Sequence, residues 1–242
     1  MKILIIRHGD PDYSVDGLTP KGQKEAELLS ERLLRDENIK AAYCSTMGRA
    51  KLTAKPTLEK LGLSCEYHDW LREFTYPKVK LPYLEDEAIC WDLMPQFMDE
   101  NPLLYSPTDW LNVDFIKNSD VPAAYKTVCD EFDKVLAKHG YLRDGLKYKV
   151  TGSNHDTIAF FCHFGLGGVL LSHLMNTSPM SILNNGFFPP SSVTTVFSEE
   201  RAKGVAAFRC FAMGDISHLY PSKEEASFSG RFCECFSDDT RH

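Results

Sequence analysis

The apolar run Ile3-Leu4-Ile5-Ile6 passes without a break into Arg7-His8-Gly9. Four consecutive branched apolar side chains leave no polar face, so the segment reads as a strand buried on both sides. That is the usual state of a parallel strand in an α/β sheet. Open sheets of this kind gather ligands at the carboxyl ends of their strands. At that point this chain places an imidazole whose intrinsic pKa is near neutrality, a planar permanent cation and a residue with no side chain. By itself the tripeptide is also what a surface turn looks like, so its meaning depends on the rest of the sequence.

The rest keeps a strand-then-helix rhythm. Thr19-Pro20 is a helix opening, a capping hydroxyl followed by proline at the first helical position, and Ala26, Leu29 and Leu33 recur at helical spacing behind it. Residues 39–44 read as a second strand. A helix from about Ser45 to Leu61 follows, which Pro56 is expected to kink or restart because it lacks a backbone donor. A third helix is predicted from about Val121 to His139, stopped by Gly140. Thr157–Cys162 reads as a strand, Leu166–Met175 as a helix, and Val193–Phe197 and Val205–Phe211 as late strands joined by a polar turn.

The fold predicted from this rhythm is α/β: a three-layer α/β/α domain over residues 1–242 with a mostly parallel central sheet. The stretch 74–119 breaks the rhythm with prolines, Trp91, Trp110 and scattered acids, and is expected to be a cap-like insertion. From about Ser222 the chain is polar and aperiodic, and is expected to be a loosely held tail.

Composition narrows the function. A net charge of −7 lacks the basic surface that a nucleic-acid binder needs. No stretch approaches membrane-spanning length and no signal segment is read, so a cytoplasmic protein is expected. The eight cysteines then read as free thiols. Cys233-x-Cys235 with His242 is a weak metal-binding signal, and neither a metal nor a cofactor is predicted. The sequence leaves a homo-oligomer open.

Three further segments fall at or just after predicted strand ends. Ser45-Thr46-Met47-Gly48-Arg49-Ala50 puts Arg49 in the first turn of a helix, where its charge and the helix N-terminus both face an anion. Leu71-Arg72-Glu73-Phe74 offers one carboxyl group. Phe161-Cys162-His163-Phe164-Gly165 ends a strand on a second histidine. Together the four segments bring two histidines, two arginines and one carboxyl to one sheet edge.

This set, in this order, resembles the histidine phosphatase superfamily, also called phosphoglycerate-mutase-like. The likeness runs through RHG at 7–9, LTPKGQKEA at 19–27, STMGRAKLTA at 45–54, LREF at 71–74, the strand–His163–helix unit and, with less weight, GDISHL at 214–219. The resemblance implies a phosphoglycerate-mutase-like fold and a metal-independent phosphatase acting on a small phosphorylated substrate. It implies His8 as a nucleophile forming a phosphohistidine, Arg7, Arg49 and His163 as phosphoryl ligands, and Glu73 as the acid.

The chain departs from the family pattern in places. Ser14 stands where relatives often carry a phosphate-touching asparagine, so its hydroxyl is a candidate ligand. His163 is followed by Phe164 instead of glycine, with Gly165 one step later. No His-Asp pair occurs at the second site, which supports Glu73 as the acid. Tyr76, Trp91 and Trp110 are candidates for a substrate cover. Two alternatives stay open: a phosphoglycerate-type mutase, or a non-catalytic phospho-ligand binder on the same fold.

Overall fold

The computed structural model describes residues 1–238, 240 and 241. Among these residues the central sheet has eight strands: β1 (Lys2–Arg7), β2 (Ile39–Ser45), β3 (Cys65–His68), β4 (Tyr141–Asp144), β5 (Lys147–Val150), β6 (Thr157–Cys162), β7 (Val193–Ala202) and β8 (Val205–Asp215). Their order is β3-β2-β6-β1-β7-β8-β5-β4. The four strands β3, β2, β6 and β1 run parallel to one another and form the core of the sheet. From β1 outward the sheet continues antiparallel through β7, β8, β5 and β4. The expected late strands are thus one antiparallel hairpin, as a short polar turn dictates.

Successive residues of β1 point to opposite faces, so each face acquires its own core. Leu4 and Ile6 join Leu29 and Leu33 of helix α1 (Pro20–Asp36) and Ala50 and Ala54 of helix α2 (Gly48–Leu61). Ile3 and Ile5 join Val128 and Phe132 of helix α3 (Val121–Lys138) and Leu166 and Leu170 of helix α4 (Phe164–Met175). Helices therefore cover both faces, giving the three layers. A shorter helix, α5 (Pro179–Asn185), follows α4. Helix α2 runs through Pro56 without restarting. The carbonyl that loses its donor belongs to Leu52, a residue on the exposed side of the helix.

Helix α1 begins as its sequence requires, with the Thr19 hydroxyl accepting from Gly22 N at 3.1 Å. Its first turn lies against the loop after β1. A Cβ on Gly9 would sit 2.7 Å from Gly22 O, so the glycines of RHG and LTPKG are needed for one backbone crossing.

The stretch 74–119 contains only short elements, among them the ladder Lys78–Val79 with Ala88–Ile89 and the helix Pro95–Glu100. Its buried residues Phe74, Val79, Leu93, Leu104 and Trp110 extend the core on the α3/α4 face. The tail after 222 is docked where polarity alone suggested a loose end. Glu224 pairs with Lys24, the Ser227 hydroxyl donates to Asp10 Oδ1, and Ser229 O accepts from Arg7. These anchors are polar and distant in sequence, so no apolar period announces them. Cys233 and Cys235 are exposed free thiols, and His242 lies outside the described residues.

Candidate active site

The carboxyl ends of the parallel strands converge on one cluster. Arg7 and His8 leave β1, Ser45 ends β2 ahead of Arg49 in α2, His163 leaves β6, and Glu73 follows the short turn after β3. Four of these side chains are nearly sealed from solvent: His8 is 2%, His163 1%, Arg7 5% and Arg49 6% exposed. Burying two cations beside two imidazoles is costly unless something holds each in place.

The His8 ring is fixed by Nδ1, which donates to Gly9 O at 2.7 Å. A carbonyl only accepts, so the proton sits on Nδ1 and the lone pair on Nε2. Burial, with Arg7 and Arg49 nearby, pushes the His8 pKa down to about 3, so the imidazole is neutral throughout the physiological range. Gly9 N donates to Thr53 Oγ1 at 2.9 Å, and Thr53 Oγ1 donates to Arg49 O at 2.8 Å, tying the loop to α2.

The His163 ring centre is 5.2 Å from that of His8. Its Nε2 is 2.8 Å from Ser45 Oγ, which already accepts from Met47 N at 3.2 Å. In the tautomer in which the Ser45 hydroxyl donates to Nε2, the His163 proton sits on Nδ1 and that nitrogen is a donor. Burial, then His8 and both arginines, holds the His163 pKa well below the usual histidine range.

Arg7 Nη1 donates to Phe188 O at 2.6 Å and Nη2 to Ser229 O at 2.9 Å. Arg49 Nη1 pairs with Asp16 Oδ1 at 2.5 Å, and Asp16 Oδ2 accepts from Gly48 N at 2.6 Å. Three buried donors near His8 have no hydrogen-bond partner within the protein: Arg7 Nε, Arg49 Nε and His163 Nδ1. Unmatched buried donors are rare, and a group of them beside one imidazole is suited to receive an anion.

Glu73 is half-buried. Its Oε1 accepts from Phe74 N at 2.8 Å and from Leu166 N, in the first turn of α4, at 3.1 Å. Burial raises its pKa above the usual carboxylate value, against the pull of those N–H donors and of Arg7. A Cβ on Gly165 would lie 2.7 Å from Glu73 Oε1 and 2.9 Å from Trp91 Nε1, so this position is held to glycine.

The structure thus brings together Arg7, His8, Arg49, Glu73 and His163. It does not bring Ser14 to them: that exposed hydroxyl donates to Asp12 Oδ1 at 2.6 Å within its own turn. Trp110 is also no cover residue, being buried in the core edge-on to Tyr125. Tyr76 is 54% exposed and lines a surface cleft with Lys78 and Lys80 that none of the clustered residues lines. Trp91 does adjoin the cluster, its Nε1 donating to Phe74 O at 3.0 Å beside Glu73. Ser45 and Thr53 fall inside the 45–54 motif, where nothing in the residue type marks a hydroxyl as a site partner. Asp16, Ser229 and the Phe188 carbonyl carried no signal in the sequence.

The family model of the histidine phosphatase superfamily (branch 1) matches residues 3–104, which contain His8, Arg49 and Glu73. Over these residues the chain is similar to this superfamily. Among curated proteins no sequence matches it. Solved histidine-phosphatase structures share its fold at low identity. A phosphoserine phosphatase mutant from Entamoeba histolytica, in complex with phosphoserine, is 14% identical with a TM-score of 0.59, covering 90% of this chain and 98% of that one. A mycobacterial glucosyl-3-phosphoglycerate phosphatase is 17% identical, TM-score 0.56, covering 88% and 98%. The alpha-ribazole phosphatase of Shigella flexneri is 19% identical, TM-score 0.54, covering 89% and 97%. Among the described residues no helix is long and apolar enough to cross a membrane.

Proposed function

We propose that the chain is a histidine phosphatase that hydrolyses a phosphomonoester of a small soluble substrate through a phosphohistidine on His8. The observation that carries this reading is the unmatched donor set, Arg7 Nε, Arg49 Nε and His163 Nδ1, grouped around a neutral imidazole whose Nε2 lone pair is free. A phosphoryl group supplies the acceptors those donors lack, and phosphoryl transfer asks the protein mainly for positioning and positive charge. The solved relatives named as phosphatases of phosphoserine, glucosyl-3-phosphoglycerate and alpha-ribazole support the same reaction class.

In the first step His8 Nε2 attacks phosphorus, the bond from phosphorus to the ester oxygen breaks, and Glu73 gives its proton to the leaving oxygen. The raised pKa of Glu73 keeps that proton available. In the second step the Glu73 carboxylate takes a proton from water, the water oxygen attacks phosphorus, and the N–P bond breaks to release phosphate. Arg7, Arg49 and His163 hold the phosphoryl oxygens through both steps.

Rapid acid-free quenching of a reaction with 4-nitrophenyl phosphate should trap a base-stable, acid-labile phosphoenzyme in the wild-type protein. His8→Ala should lose both the phosphoenzyme and turnover. Turnover retained in His8→Ala would end the proposal. Phosphate binding without turnover in the wild type would favour the non-catalytic reading instead.

A further inference from the structure

Beside the catalytic cluster lies a cavity of about 580 Å³ that phosphoryl chemistry does not require. One wall is the 74–119 segment, with Trp91, Met94 and Met98. A second is α4, α5 and the turn after them, with Phe164, Leu183 and Phe187. The third wall is the C-terminal segment, which supplies Gly230, Phe232 and Cys233. The tail is not draped there by chance. Ser229 O accepts from Arg7 Nη2, and Gly230, at φ +84°, passes so close that a Cβ would lie 3.2 Å from the same nitrogen.

The cavity adjoins Arg7 through its own lining. Phe164 directly follows His163, and the Arg7 guanidinium lies 5.5 Å from the Phe164 ring and 5.8 Å from the Phe187 ring. Trp91 packs edge-on against Phe164 at 5.3 Å while its Nε1 bonds the carbonyl next to Glu73. The cavity wall is thereby joined through Trp91 to the backbone beside Glu73 and through Phe164 to His163. Its size falls in the range of small-molecule pockets, and aromatic and thioether walls gain most from excluding water around an apolar ligand. Asp92, Asn184, Asn185 and the ion-paired Arg231 and Glu234 add polar groups to the lining.

We infer that this cavity seats the alcohol portion of the substrate, and hence that the substrate is a phosphomonoester of a bulky, largely apolar ring or branched chain, with the C-terminal segment as a specificity-determining wall. This rests on the phosphatase reading for the word substrate. It does not rest on it for the cavity. A bare phosphorylated hydroxy acid would leave the aromatic walls facing water and gain nothing from them.

The test uses the full chain with two esters, 2-naphthyl phosphate and phosphoglycolate, and the free alcohol 2-naphthol as a binding probe. Met98→Trp fills the cavity from the insertion side, and Phe232→Ala removes the exposed tail wall without touching the core. The ratio of kcat/KM for 2-naphthyl phosphate over phosphoglycolate should fall about tenfold in Met98→Trp and by a smaller factor in Phe232→Ala. Calorimetric titration should show saturable 2-naphthol binding in the wild type and its loss in Met98→Trp. Binding of 2-naphthol with no hydrolysis of either ester would sink the phosphatase reading and leave the cavity assignment standing. Hydrolysis of both esters with an unchanged ratio in both variants, and no 2-naphthol binding, would overturn the inference while leaving the phosphatase reading intact.

Discussion

Asp16 holds Arg49 by a single 2.5 Å ion pair from Oδ1 to Nη1, while its other oxygen accepts from Gly48 N at the start of α2. One carboxylate thus ties the loop after β1 to both the cation and the helix that present Arg49. Arg49 is 6% exposed, so without Asp16 its charge would be buried and unmatched until substrate arrives. The pairing leaves Arg49 Nε free of any protein acceptor.

Asp16→Ala should therefore loosen Arg49 without removing it. We expect kcat/KM for 4-nitrophenyl phosphate to fall between about 10- and 100-fold, with weaker inhibition by inorganic phosphate. An unchanged phosphate inhibition constant in Asp16→Ala would show that Asp16 does not position the arginine.

Glu73→Gln keeps the shape of the side chain and an acceptor for Phe74 N and Leu166 N but has no acidic proton. The rate on an alkyl phosphate, whose leaving oxygen needs protonation, should fall by about two to three orders of magnitude. Nitrophenolate leaves without a proton, so that ester should lose no more than about tenfold. Equal losses on both esters would move the acid role to another group.

The pH dependence of stability follows from His8. Its pKa is about 3 in the fold against about 6.5 for an exposed imidazole, so the folded chain binds fewer protons than the unfolded chain between those values. The stability from the neutral ring is complete above pH 6.5 and is lost as pH falls towards 3. His8→Gln cannot protonate. Its unfolding free energy should drop by roughly 3 kcal/mol less than that of the wild type between pH 7 and pH 4, on an order-of-magnitude reckoning. Urea denaturation at the two pH values measures this, and parallel losses in both proteins would refute it.

On the proposed reading, Arg7 and Arg49 supply the charge that a divalent ion brings to other phosphatases, and the neutral His163 adds a hydrogen bond. Among the described residues no group of three or more His, Cys, Asp or Glu side chains forms a metal-binding set. Turnover should survive EDTA, and vanadate should inhibit by engaging the same donors. Loss of activity in EDTA that zinc or magnesium restores would contradict this.

The sequence by itself determined the parallel core and the placement of five side chains along it. The apolar run 3–6, the Thr19-Pro20 opening and the strand–His163–helix unit are local signals, written in contiguous residues whose burial and capping depend on near neighbours. Strand ends fix position in space, so residues just past them converge whatever the loops do. That is why Arg7, His8, Arg49 and His163 were legible. Ser14 lies apart from the cluster because the likeness to relatives gives a residue type at a position, whereas a turn decides where the hydroxyl points. Trp91 and Trp110 could not be told apart from composition, since both are large apolar residues in one irregular segment and only packing sends one to the site and the other to the core. The partners of Arg7 were beyond the reach of sequence altogether. They are backbone carbonyls of Phe188 and Ser229, 181 and 222 residues away, and a carbonyl group carries no residue signature. The docked tail and the cavity it closes therefore belong to the tertiary structure alone: long-range polar contacts are chosen by geometry after the core has set the chain in place.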